Sequence, residues 1–118
     1  MVDDQAPVLF SYTVILQREG YDVTGAATSD SACQELDRSS YDLLICDLGL
    51  EAGRNGFEVI DYARRRHPRM KPVLLTGFAG PEVEEKAEQR GVTLLCKPVG
   101  VPHLLDTLRS LTGLPDAA

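Results

Sequence analysis

The sequence predicts an α/β fold of βα units around a parallel sheet, on three observations. Short apolar runs alternate with longer amphipathic stretches from one end of the chain to the other, the order in which strands and crossover helices follow each other. The runs at 41–46, 71–76 and 92–96 are nearly continuous in apolar residues, as expected of strands covered on both faces. Polar residues of distinct chemistry stand at the ends of those runs, where parallel sheets carry their functional groups.

Taken in order, the first unit is short of a strand: only Met1, Val2 and Asp3 precede the first helical stretch, which spans 6–19. Gly20 follows it, suited to a left-handed C-terminal cap. A more mixed strand is expected at 21–26, then a helix at 29–38 that Ser29 or Asp30 can cap. The strand at 41–46 runs directly into Asp47. A loop leads to a helix at 56–66, which stops at His67 and Pro68. The strand at 71–76 ends on Thr76. Pro81 opens a helix at 81–90, Gly91 closes it, and the strand at 92–96 is followed at once by Lys97. A last helix covers 101–111, and the tail from about residue 112 reads as loose.

Length and composition fit one domain over residues 1–118, without internal repeat, low-complexity segment or linker. With 43% hydrophobic and 25% charged residues the chain can bury a core without disulfides. Cys33, Cys46 and Cys96 are odd in number and lack a C-x-x-C pair, which supports neither a disulfide framework nor a zinc knuckle. Cys46 and Cys96 are expected to pack as small buried strand residues, and His67 and His103 to lie at the surface. No apolar run approaches the roughly 18 residues of a membrane span, and no basic-then-apolar leader opens the chain, so a cytoplasmic, non-membrane protein is expected. The formal charge of −6 argues against direct nucleic-acid binding, which needs a basic face. The one basic run, Arg64 to Arg66, suits the last turn of a helix, where cations complement the dipole.

Asp3, Asp4, Asp47, Thr76 and Lys97 all fall at strand ends, so three carboxylates, a hydroxyl and an ammonium converge on one edge of the sheet. Singly, each has an ordinary explanation: paired aspartates before a helix, a loop aspartate, a strand-end threonine. Jointly they describe a site. Three carboxylates in one shallow pocket are costly unless positive charge joins them. Magnesium, which takes one or two carboxylates and keeps waters for phosphate oxygens, suits so open a place. Lys97 adds a second positive charge and Thr76 a donor, and Asp47 can then act as a nucleophile toward phosphorus.

The succession Asp3-Asp4, Gly20-Tyr21-Asp22-Val23, Tyr41-Asp42-Leu43-Leu44-Ile45-Cys46-Asp47, Asn55-Gly56-Phe57-Glu58-Val59, Pro72-Val73-Leu74-Leu75-Thr76 and Lys97-Pro98 resembles the receiver domains of two-component response regulators over essentially the whole chain. The resemblance implies a doubly wound, flavodoxin-like (βα)5 three-layer sandwich with sheet order 2-1-3-4-5, here with its first strand cut short. It implies a phosphoacceptor in a phosphorelay and not an enzyme in the ordinary sense. Asp47 would take the phosphoryl group from a histidine kinase or histidine phosphotransfer protein. Asp4 and Asp47 would bind magnesium directly, Asp3 through water, and Gly49 through its main-chain carbonyl, with Thr76 and Lys97 contacting the phosphoryl group. An output protein would dock on the face of the fourth helix, fifth strand and fifth helix.

The chain departs from the family pattern in three places. The loop after Asp47 lacks the usual proline and is one residue longer, and Leu94 stands where an aromatic is common. Phe78 has two readings, a shield over the acyl phosphate or an exposed loop aromatic. Two rivals remain: a binding module of the same fold that takes no phosphate, and a small phosphohydrolase with an aspartate nucleophile. The second would need an acid two residues beyond Asp47, where Gly49 stands.

Overall fold

The structure, a computed structural model, describes residues 1–113. Among them the regular elements are α1 (Ala6–Arg18), α2 (Ser29–Arg38), β1 (Leu43–Asp47), α3 (Gly56–Arg66), β2 (Lys71–Thr76), α4 (Pro81–Arg90), β3 (Thr93–Cys96) and α5 (Val101–Thr112), with a 3-10 turn at Glu51–Gly53 after β1. The strands form one parallel sheet in the order β1-β2-β3, with Cys46 opposite Leu74 and Leu75 opposite Leu95.

The two expected strands at the other side of the sheet shrink to single bridged residues. Val2 pairs in parallel with Ala26 on one side and with Cys46 of β1 on the other. Reading across the sheet gives Ala26, Val2, β1, β2, β3, so the flavodoxin-like order 2-1-3-4-5 is kept. The expectation of a strand over 21–26 is corrected to pairing at Ala26 alone. The reason lies in the partner. Val2 N–H donates to Ile45 O at 2.8 Å and Asp47 N–H to Val2 O at 2.9 Å, while Ala26 N–H donates to Met1 O at 2.9 Å. Beside this stretch the Met1 amino group donates to Thr24 O at 2.8 Å.

A cavity of about 80 Å³ lies beside this junction, lined in part by Met1, Leu16, Tyr21, Val23, Leu43 and Leu108. The Met1 amino group is itself buried, and burial lowers its pKa to about 6.

Alternation along the strands builds three layers. Leu44, Cys46 and Leu74 join Ala32, Leu36, Phe57, Ile60 and Ala63 from α2 and α3 on one face. Ile45, Val73, Leu75 and Leu95 join Leu16 of α1 and Leu104, Leu105 and Leu108 of α5 on the other. Burying each leucine, isoleucine, valine or phenylalanine among them stabilises the fold by about 1.5–3 kcal/mol. Cys46 is fully buried, but Cys96 is exposed, contrary to expectation. Leu95 turns into the core, so Cys96 faces the opposite way at the end of a strand paired on one side only.

Helix ends follow local chemistry. Thr28, not Ser29 or Asp30, caps α2 by accepting from Ser31 N–H at 3.0 Å, and Asn55 caps α3 through Glu58 N–H at 3.2 Å. Gly91 ends α4 with φ of 62°, and Gly113 ends α5 with φ of 70°, the left-handed conformation that costs glycine least. The tail expected to loosen from about 112 is therefore helical at Thr112; residues 114–118 lie outside those described. The basic run ends α3 with Arg65 and Arg66 exposed: Arg64 reaches the carbonyls of Arg90 and Gly91, and Arg66 pairs with Asp37 at 2.6 Å while lying over the Tyr62 ring. His103 is exposed as expected, whereas His67 is half-buried with Nε2 at 2.7 Å from Leu36 O.

Candidate functional site

The bridges of Val2 set the register that delivers Asp3 and Asp4 to the end of β1. One carboxylate oxygen each from Asp3, Asp4 and Asp47 lie within 4.8 Å of one another. They differ sharply in setting: Asp3 is fully buried, Asp47 half-buried and Asp4 exposed. Asp3 Oδ1 accepts from Gln5 N–H at 2.9 Å, which ties it to the start of α1.

Lys97 arrives from the far side of the sheet. Its N–H donates to Thr76 O at 2.7 Å, its bond to Pro98 is cis, and its ammonium lies 3.0 Å from Asp47 Oδ1 and 3.3 Å from Asp3 Oδ2. The pairing shows in the lysine: burial pulls its pKa down, but the hydrogen bonds and charges of Asp47 and Asp3 outweigh that and leave it raised. Asp47 moves the other way from what an ion pair alone would give. Burial raises its pKa, helped by Asp3 and Asp4, and Lys97 only partly offsets the rise. The two shifts agree, because one ammonium serves a cluster of three carboxylates. The surplus negative charge, on hard oxygen donors with one exposed member, is what a divalent cation such as magnesium would neutralise.

Thr76 is buried, and its hydroxyl donates to Phe78 O at 2.9 Å and accepts from Phe78 N–H at 3.2 Å. It is thus tied to its own loop. The Phe78 ring is 80% exposed, which favours the reading as an exposed loop aromatic. Gly49 lies at the surface two residues past Asp47 and bridges Asn55, with no side chain of its own to hold it. Leu94 is partly buried against the core. Gly56, the first residue of α3, packs so closely behind the site that a Cβ there would lie 2.5 Å from Asp47 O and 2.6 Å from Leu74 Cδ1.

One contact of the loop after Asp47 had no signal in the sequence. Glu51, in the turn after β1, accepts hydrogen bonds from both the N–H and the hydroxyl of Ser29 at the start of α2. The contact joins residues 22 apart, and a glutamate in a polar loop gives no hint of it.

The sequence profile of the response regulator receiver domain matches residues 1–109. The chain belongs to the receiver-domain family. A curated relative, the nitrogen assimilation regulatory protein NtrX of Azorhizobium caulinodans, is 30% identical over 92% of this chain and 26% of its own length. The chain spans about a quarter of the curated relatives it matches first. Among solved structures, a CheY-like receiver domain protein from Methanospirillum hungatei superposes with a TM-score of 0.89 at 29% identity, covering 95% of this chain and 90% of that one. A response regulator from Burkholderia pseudomallei, solved with a phosphorylated aspartic acid, a calcium ion and citrate, does so at 0.84 and 25% identity, over 95% of this chain and 66% of that one. Receiver domains are signalling domains of two-component systems, and no helix among the described residues of this receiver is long and apolar enough to cross a membrane.

Proposed function

We propose that residues 1–118 act as one receiver domain in which Asp47 accepts a phosphoryl group from a phosphohistidine on a histidine kinase or phosphotransfer protein. The observation that carries this reading is the Lys97 ammonium held between Asp47 and Asp3, beside a third carboxylate. An Asp47 oxygen attacks phosphorus, the new P–O bond forms as the P–N bond breaks, and the electron pair leaves with the imidazole nitrogen. Lys97 stabilises charge on the phosphoryl oxygens during transfer.

Magnesium, when bound, supplies further positive charge against those oxygens. Asp4 and Asp47 would hold it directly and Gly49 through its carbonyl. Asp3, fully buried and already engaged by Gln5 and Lys97, suits a ligand acting through water.

Thr76 connects the chemistry to the surface. To donate to a phosphoryl oxygen its hydroxyl must release Phe78 O, which moves the loop between β2 and α4. The face of α4, β3 and α5 is then the natural docking surface for an output protein. The relatives' names, transcriptional regulators among them, are consistent with a signalling output that this face would engage.

The test is incubation with a small acyl phosphate, with and without magnesium, followed by a phosphate-affinity gel. A retarded band is expected that needs magnesium and is absent from Asp47→Ala. An unlabelled intact chain would instead favour a phosphate-independent binding module of the same fold.

A further inference from the structure

In the proposed site the loop from 48 to 55 presents the Gly49 carbonyl, yet Gly49 has no side chain to anchor it and a Cβ there would meet nothing. The loop is closed on itself by Leu50 N–H to Arg54 O at 2.9 Å and Gly56 N–H to Leu48 O at 2.8 Å. Inside it Ala52 has φ of 53° and Gly53 φ of 73°. A left-handed alanine is disfavoured by about 1–2 kcal/mol, so this backbone persists because something outside the turn holds it.

Two side chains do. Leu50 is buried in the core, and on the other side Glu51 takes both the N–H and the hydroxyl of Ser29. Ser29 is 1% exposed; it sits at the positive end of the α2 dipole, where a carboxylate is favoured. A second tether, Arg54 to Asp30 at 3.7 Å, is largely exposed and contributes little. Arg54 also donates to Glu58 of α3 at 2.8 Å, between half-exposed groups, and Leu48 N–H to Leu75 O of β2 at 2.8 Å; Glu51 is the side chain that ties the loop to a buried partner on α2, two residues from Gly49.

We infer that Glu51 is a positioning residue for the magnesium site: by clamping the start of α2 through Ser29 it fixes the loop after Asp47 and thereby aims the Gly49 carbonyl. This rests on the reading of Gly49, Asp4 and Asp47 as metal ligands. Residues that orient ligands in this way alter metal affinity by roughly 10–100-fold when lost.

The experiment is magnesium titration, followed by amide NMR shifts, of the intact chain, Glu51→Ala and Glu51→Gln, with amide exchange at Ser29 measured before metal is added. Glutamine keeps an acceptor for Ser29 N–H but drops the charge. The expected result is affinity about tenfold weaker in Glu51→Ala, near the intact value in Glu51→Gln, and faster Ser29 exchange in Glu51→Ala alone. Equal affinity in Glu51→Ala, or equal weakening in both variants, overturns the inference, the latter by showing a pure charge effect. If the intact chain binds no magnesium, the metal reading itself fails, and this role with it. Urea unfolding of each variant separates these outcomes from loss of fold.

Discussion

Lys97 is the residue on which the site's electrostatics turn. Asp3 is fully buried, with Gln5 N–H on one oxygen and Lys97 on the other. Replacing the lysine by methionine leaves that carboxylate beside Asp47 with no cation. Lys97→Met is expected to lose about 3 kcal/mol of stability in urea unfolding, and millimolar magnesium should restore part of it. Restoration is the informative half, since a packing defect would not respond to metal. Gly56 makes the complementary point in steric terms. Its Cβ would collide with the Asp47 carbonyl and the Leu74 side chain, so Gly56→Ala should cost about 2 kcal/mol, read as a lower melting temperature.

Among the elements, the junction at Met1 contributes to the pH response between about 6 and 8. The amino group's pKa falls from 8.0 to about 6 because it is buried, with a smaller opposing influence from Cys46. A base with a lowered folded pKa binds fewer protons folded than unfolded between those values. Stability should therefore rise as pH goes from about 6 to 8, by up to roughly 2–3 kcal/mol at 1.36 kcal/mol per pKa unit. Urea unfolding across that range checks it, and acetylating the amino group should flatten the slope; an unchanged slope would assign it elsewhere.

The same junction marks the limit of sequence reading. The spans of α2, α3, α4 and β2 were legible because caps, prolines and apolar periodicity are local signals. Residues 21–26 carry the composition of a strand, but a strand exists only where a neighbour pairs with it, and Val2 offers one residue. Cys96 misled for a related reason: an apolar run does not reveal which strand lacks cover at its end. Asp3, Asp4, Asp47 and Lys97 were legible as a cluster through topology alone. The Glu51 clamp was not, because nothing in the sequence pairs a loop glutamate with a helix start 22 residues away.

At the scale of the whole molecule, the site is what the winding of the chain produces. Asp3 and Lys97, 94 residues apart, meet because the chain returns to the same sheet edge after each helix. The two core layers hold that edge from both faces, so the carboxylates stay close despite their repulsion, and Thr76 is the one site group whose hydrogen bonds lead outward into a loop. Such an arrangement is suited to accept charge at one point and report it along β2 and β3 to the α4 face. The most direct test of that account is intact-protein mass spectrometry with peptide mapping after treatment with a small acyl phosphate and magnesium. The account predicts a gain of one phosphoryl mass on the peptide containing Asp47, lost on chelating the metal beforehand and absent from Asp47→Ala. An intact, folded chain that gains no mass, or gains it at another residue, would contradict it.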